Sequence, residues 1–149
     1  MIRFRPATEQ DVPEIVALLA DDSLGAARER KDSAEYLAAF RRMQAEGSNH
    51  LIVGVEAGGS VVATYQITFI SGLSLRAARR AQVESVRVAS ALRGKGIGAA
   101  LMADAEARAR AAGCSLIQLT TNRTRTDAHR FYERLGFTPS HIGYKRELT

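Results

Sequence analysis

The segment Val86-Arg87-Val88-Ala89-Ser90-Ala91-Leu92-Arg93-Gly94-Lys95-Gly96-Ile97-Gly98-Ala99 constrains this chain more than any other. A strand-forming run enters a loop, the loop has Gly at every second position, and a helix-forming run follows at once. Gly has no Cβ, so the backbone can turn tightly there and approach a ligand closely. The first N–H groups of a helix lack intrahelical partners and lie at the positive end of its dipole. A strand, a glycine turn and a helix start in that order make a site for an anion, most naturally a phosphate or pyrophosphate. Arg93 and Lys95 add formal charge at the same place. The competing reading is a turn that binds nothing. Three glycines at a helix start, each costing roughly 1 kcal/mol against Ala, weigh against it. Two known glycine motifs are excluded. No G-x-x-x-x-G-K-[ST] string exists, and G-x-G-x-x-G fails because Gly98 is followed by Ala99-Ala100-Leu101.

The pattern on either side is that of one mixed α/β domain covering residues 1–149. Ile2–Arg5 alternates apolar and basic residues as a short strand. Asp11-Val12-Pro13-Glu14 resembles a helix start with an Asp cap, and Val12, Ile15, Val16 and Leu19 follow at helical spacing. A second amphipathic helix is expected from Ala34 to Glu46. His50–Ala57 and Ser60–Phe69 are β-rich and separated by Gly58-Gly59, a hairpin signal. After a connection from Gly72 to Arg80, Gln82–Val88 is a further strand. Gly96–Ala112 is the clearest helix, ended by Gly113. Ser115–Thr120 is a strand, Thr126–Leu135 a helix closed by Gly136, and Phe137 and Ile142–Leu148 are strand material. The expected order is β-α-α-β-β-β-α-β-α-β-β.

Charge narrows the partners. The 149 residues hold 21 Lys plus Arg against 16 Asp plus Glu, a formal net charge of +5. That surplus predicts an anionic partner: nucleic acid, a lipid surface or a phosphorylated small molecule. The chain has no Trp, 6% aromatic residues and no recognition-helix pattern, which argues against nucleic acid. No apolar run approaches the roughly 20 residues that span a bilayer, and the N-terminal run lacks a signal-peptide apolar region, so a cytoplasmic setting without membrane contact is expected. Cys114 is the one cysteine, and His50, His129 and His141 lie far apart, so no metal-ligand spacing exists. Cys114 and His129 are expected to be structural or surface residues.

The run Arg93-Gly94-Lys95-Gly96-Ile97-Gly98 matches [QR]-x-x-G-x-[GA] and resembles the coenzyme A pyrophosphate loop of the GNAT superfamily of acyl-CoA-dependent N-acyltransferases. The strand Val83–Val88 is similar to that family's fourth strand. Ala128-His129-Arg130-Phe131-Tyr132-Glu133-Arg134-Leu135-Gly136-Phe137 is similar to its "FYE-x-LGF" helix and turn. The resemblance covers nearly the whole chain. It implies a central, mostly antiparallel mixed sheet whose fourth and fifth strands pair in parallel and then diverge to admit coenzyme A. It also implies transfer of an acetyl group from acetyl-CoA, as co-substrate, to a primary amine by direct attack in a ternary complex, with no metal. Family members are often dimers. The alternative is a catalytically inactive CoA-binding or sensing module of the same fold.

That chemistry needs a neutral amine, a polarised carbonyl and a proton for the departing thiolate. A lysine-like amine of pKa about 10.4 is neutral in only about one molecule in 2,500 at pH 7. A carboxylate acting as general base meets the need. Glu84 is the candidate: strand alternation puts it on a face with Val86 and Val88, and the resemblance places the family's base four residues before Val88. An edge-strand Glu paired with Arg80 or Arg87 is the other reading. Tyr132 is the candidate acid, since a phenol near pKa 10 can serve a thiolate near 8.5. It also fits an apolar stripe with Ala128, Phe131 and Leu135, as a core tyrosine would.

For coenzyme A the resemblance implies Val86, Arg87 and Val88 along the pantetheine arm, a backbone N–H near Val88 for the carbonyl, and Arg93, Gly94, Lys95, Gly96, Ile97, Gly98 and Ala99 around the pyrophosphate. It departs at one point. The family's pantetheine-contacting Asn would fall at Arg125, and the nearby asparagine is Asn122, so either residue, together with Tyr132, is a candidate contact. The resemblance assigns acceptor choice largely to the first two helices, their joining loop and the last hairpin. Here that loop sets Asp21, Asp22 and Glu29 against Arg28, Arg30 and Lys31.

Overall fold

In a computed structural model that describes residues 1–21, 26, 29 and 33–149, apolar alternation builds a five-stranded sheet. Its strands are Arg3–Pro6 (β1), Asn49–Val55 (β2), Val61–Ile70 (β3), Arg80–Val88 (β4) and Leu116–Leu119 (β5), side by side in that order. β1 to β4 are antiparallel neighbours, and β5 runs parallel to β4. The helices of nine or more residues are Val12–Ala20 (α1), Ser33–Glu46 (α2), Ile97–Ala111 (α3) and Thr126–Arg134 (α4) among the described residues. The chain divides into two compact units, Met1–Gln118 and Leu119–Thr149. No described helix is long and apolar enough to cross a membrane.

Antiparallel partners share a face of a sheet, so the register sorts the side chains. One face carries Ile52, Ala63, Tyr65, Ile67, Ala81 and Val83, all buried, and packs against α3 through Leu101 and Ala105. Tyr65 is fully buried there. Its hydroxyl donates to Asp104 Oδ2 at 2.6 Å, and Arg108 Nε donates to the same oxygen at 2.8 Å. Burial first and Asp104 second push the Tyr65 phenol well above its ordinary value, so it stays a donor. The opposite face carries Val53, Val55 and Thr64 and receives Ile15 and Leu18 of α1.

The helix start at Asp11 differs from the expected cap. No side chain caps α1. The Asp11 carboxylate instead accepts two bonds from Arg5, at 2.7 and 3.0 Å, and one from the Thr8 N–H at 2.7 Å. A bidentate guanidinium outcompetes the helix amides for the same lone pairs. The bond from Arg5, opposed by desolvation and helped by Thr8, holds Asp11 below the ordinary carboxylate range. A depressed carboxylate stabilises the fold above its unfolded pKa, and that stability is lost as pH falls through the folded value. Asp11→Asn is therefore expected to lower stability at pH 7 by about 1–2 kcal/mol, allowing for the partly solvated Arg5. Urea midpoints of the two proteins should converge as pH is taken below about 4.

The expected connection over Gly72–Arg80 holds a left-handed turn, with φ of 54° at Leu75, 60° at Arg76 and 59° at Ala77. One further difference concerns β structure. The expected strands at Phe137 and Ile142–Leu148 are absent: residues 135–149 have no helix or strand, and Ile142, Tyr144 and Leu148 are 79%, 89% and 89% exposed. β-forming residues make a strand only where a neighbouring edge completes the ladder, and the tail joins none.

Candidate functional site

β4 is not a regular strand. Thr64 pairs with Arg87 and Gln66 with Glu84, so two steps along β3 match three along β4. The extra residue is a bulge, and Ser85 beside it adopts φ 54°, in the left-handed region. A bulge leaves one residue of the longer strand out of the ladder and shifts the alternation of side chains beyond it. Glu84 therefore lies on the face of Thr64 and Gln66, whereas Val88, opposite Ala63, lies on the other. The expected common face of Glu84 and Val88 does not exist, because the bulge stands between them.

Glu84 is exposed. Among the described residues it forms no ion pair, with Arg80 or Arg87 included. The Arg87 Nη1 instead donates to the Val86 carbonyl at 3.0 Å. On the same face, α1, α2 and the sheet enclose a cavity of about 160 Å3, floored by Thr64, Gln66 and Ser85. The residue next to Glu84 and the residue paired with it both line this cavity.

The glycine turn follows β4. Gly94 and Gly96 both have φ of 80°, a conformation that costs an L side chain roughly 1–2 kcal/mol. A Cβ at either would meet nothing within 4 Å, so the space in front of the turn is open. Gly96 is the N-cap of the 15-residue α3, and no side chain caps that end. The leading N–H groups of α3 are thus available to an anion. Lys95 and Ala99 are exposed, Gly98 is half-buried and Ile97 is buried as the helix's anchor. Arg93 is also exposed and its Nη2 donates to the Asp21 carbonyl at 3.2 Å, while Ser90 N–H reaches Asp21 Oδ2 at 3.4 Å. Asp21, at the end of α1, pins the loop; no sequence pattern announced that role. Of the charged residues joining the first two helices, Asp22, Arg28, Arg30 and Lys31 lie outside the described residues.

In the second unit, Asn122 Oδ1 accepts from the Thr124 N–H at 3.0 Å and hydroxyl at 2.7 Å. Its carboxamide oxygen is thereby spent on a local turn. Arg125 is exposed at the N-cap of α4. Tyr132 is half-buried in edge-on contact with Phe131 and Phe137, ring centroids 5.1 and 5.8 Å away. No group of three or more metal-ligating side chains is clustered among the described residues.

The turn fits a pyrophosphate on three counts: left-handed glycines, open space before them, and an uncapped helix end. Comparisons with known proteins give the family. The acetyltransferase (GNAT) family signature matches residues 13–137. A structure from Bacillus halodurans C-125, described as a transcriptional regulator, is 43% identical over 99% of this chain and 100% of its own, with a TM-score of 0.94. Aminoalkylphosphonate N-acetyltransferase of Salmonella typhimurium is 43% identical over 67 residues, 45% of this chain and 44% of that relative's length. Glucosamine-6-phosphate N-acetyltransferase of Arabidopsis thaliana shares the fold, with a TM-score of 0.82 at 19% identity over 100% of this chain and 99% of its own. With a family signature spanning both units and a phosphate-ready turn at its centre, the chain belongs to the GNAT family of acetyltransferases.

Proposed function

We propose that the protein transfers an acetyl group from acetyl-CoA to a primary amine in a ternary complex. The observation that carries this is the glycine turn at the uncapped N-terminus of α3, immediately after a bulged β4 that presents Glu84. The N–H groups of Ile97, Gly98 and Ala99, with Lys95, would hold the pyrophosphate of the co-substrate. Val86, Arg87 and Val88 would accompany its pantetheine arm, and of the two further candidates Arg125 would contact a phosphate, since the Asn122 side-chain oxygen is engaged with Thr124. Glu84 would accept the ammonium proton. The freed amine nitrogen then bonds to the thioester carbonyl carbon, a backbone N–H beside the bulge receives the developing oxyanion, and the C–S bond breaks. Tyr132 would return a proton to the thiolate sulfur. The nitrogen's second proton, lost as the amide forms, replaces the one Tyr132 gave, so ammonium and acetyl-CoA become amide, CoA thiol and one proton held by Glu84.

Tyr132→Phe tests the acid. The ring packing on Phe131 and Phe137 survives this change, so kcat should fall about 10²-fold while CoA affinity stays near the parent's. Equal kcat in parent and variant would remove Tyr132 from the mechanism.

The full-length likeness to a Bacillus halodurans protein described as a transcriptional regulator favours one second reading, a CoA-responsive module without turnover. Thiol release from acetyl-CoA in the presence of diverse amines separates the two. Amine-dependent release supports the transferase. A CoA-dependent rise in melting temperature with no release supports the module.

A further inference from the structure

The cavity beside Glu84 says more about the acceptor than charge does. It measures about 160 Å3 and lies between α1, α2 and the Glu84 face of the sheet. Val16 of α1, Ala39, Phe40 and Met43 of α2, and Leu51 of β2 form its walls. Its polar groups are Thr64, Gln66 and Ser85 on the floor and Tyr36 on α2, whose hydroxyl donates to Glu29 Oε1 at 2.9 Å. Thr64 Oγ1 donates to the Ile52 carbonyl at 2.9 Å, and Gln66 Nε2 donates to Asn49 Oδ1 at 2.9 Å. No charged residue lines it among the described residues. The nearest titratable group in the strand ladder is Glu84, one residue from Ser85 and opposite Gln66.

An anionic tail placed here would give up its hydration with no cation to receive it. An ammonium at the mouth would meet a carboxylate. We propose that the acceptor is a primary amine whose chain ends in an uncharged apolar group no larger than about a benzene ring, the size that an apolar cavity near 150 Å3 admits. The apolar group occupies the cavity, and the amine remains at Glu84 for deprotonation. This inference rests on the transferase reading and gives it a substrate class. It separates this chain from an enzyme for aminoalkylphosphonates, whose phosphonate such a cavity rejects.

Initial rates of thiol release are measured for ethylamine, butylamine, phenethylamine and 2-aminoethylphosphonate. From ethylamine to butylamine kcat/KM should rise about fourfold per methylene, the worth of one buried CH2. Phenethylamine should exceed 2-aminoethylphosphonate by at least about 10²-fold. Ala39→Phe narrows the cavity and should cut the phenethylamine-to-ethylamine ratio at least about tenfold; Met43→Ala, which only removes atoms, should raise the preference for longer chains. A preference for the phosphonate, or a ratio unmoved in both folded variants, overturns the proposal while leaving acetyl transfer intact. If no amine is acetylated, the transferase reading falls. Calorimetric titration with phenethylamine then decides the cavity: binding that weakens in Ala39→Phe supports it, and binding unmoved by that substitution, or no heat at millimolar ligand, overturns it.

Discussion

Replacing Glu84 by Gln is expected to lower kcat by about 10²–10³-fold, the range of a positioned general base. The substitution keeps size and hydrogen-bonding shape and deletes only the ability to take a proton. Glu84 is exposed and carries no ion pair among the described residues, so the fold loses little, and melting temperature should stay near the parent's. Coenzyme A affinity should also hold, because the glycine turn is untouched. The effect should shrink for acceptors whose amines are already neutral at pH 7, since those need no base. A loss of equal size for neutral and protonated acceptors would mean that Glu84 acts through structure, and the base would have to be sought elsewhere.

The second large effect is at the turn. Gly96 has φ of 80°, and a β-branched residue there is a strong backbone outlier. Because a Cβ at Gly96 meets no protein atom within 4 Å, Gly96→Val creates no clash inside the chain. It forces the turn to relax and puts methyl groups where a pyrophosphate would approach the α3 amides. Coenzyme A affinity should fall at least about 10²-fold, close to 2.7 kcal/mol. Gly59→Val is the control: φ is 93° in the β2–β3 hairpin, again with open space around a Cβ. Both variants should lose comparable stability, but only Gly96→Val should lose affinity, as titration calorimetry would show. Equal affinity loss in both would reduce the turn to a structural device.

These expectations show which parts of the protein were legible in its sequence. The turn was, because Gly94, Gly96 and Gly98 have few physical justifications apart from left-handed backbone and close approach. The order of elements through α4 was, because apolar periodicity of two and of 3.6 follows from where side chains point. The bulge in β4 was not. Ser85 carries no composition signal for φ of 54°, yet that one residue decides that Glu84 lies on the face of Thr64 and Gln66 and is separated from Val88. Nor was the missing strand at Ile142–Leu148, since alternation states a preference and a ladder needs a partner. Asp11 shows the same limit on a smaller scale. Its sequence neighbours suit a helix cap, and Arg5, six residues away, takes the carboxylate instead.

The +5 charge also gains a location. At the glycine turn Lys95 is exposed and has no ion pair among the described residues, and Arg93 is exposed with its Nη2 donating to the Asp21 carbonyl, so two of the cations stand where an anion would bind.

Acetyl transfer itself is tested by mass balance in one reaction containing the protein, acetyl-CoA and phenethylamine. One acetylated amine, seen by mass spectrometry, is expected for every CoA thiol released, with the rate at subsaturating acetyl-CoA falling at least about 10²-fold in Gly96→Val and about 10²–10³-fold in Glu84→Gln. Thiol release without acetylated amine, or no release from any amine while acetyl-CoA leaves the melting temperature unchanged, would contradict it.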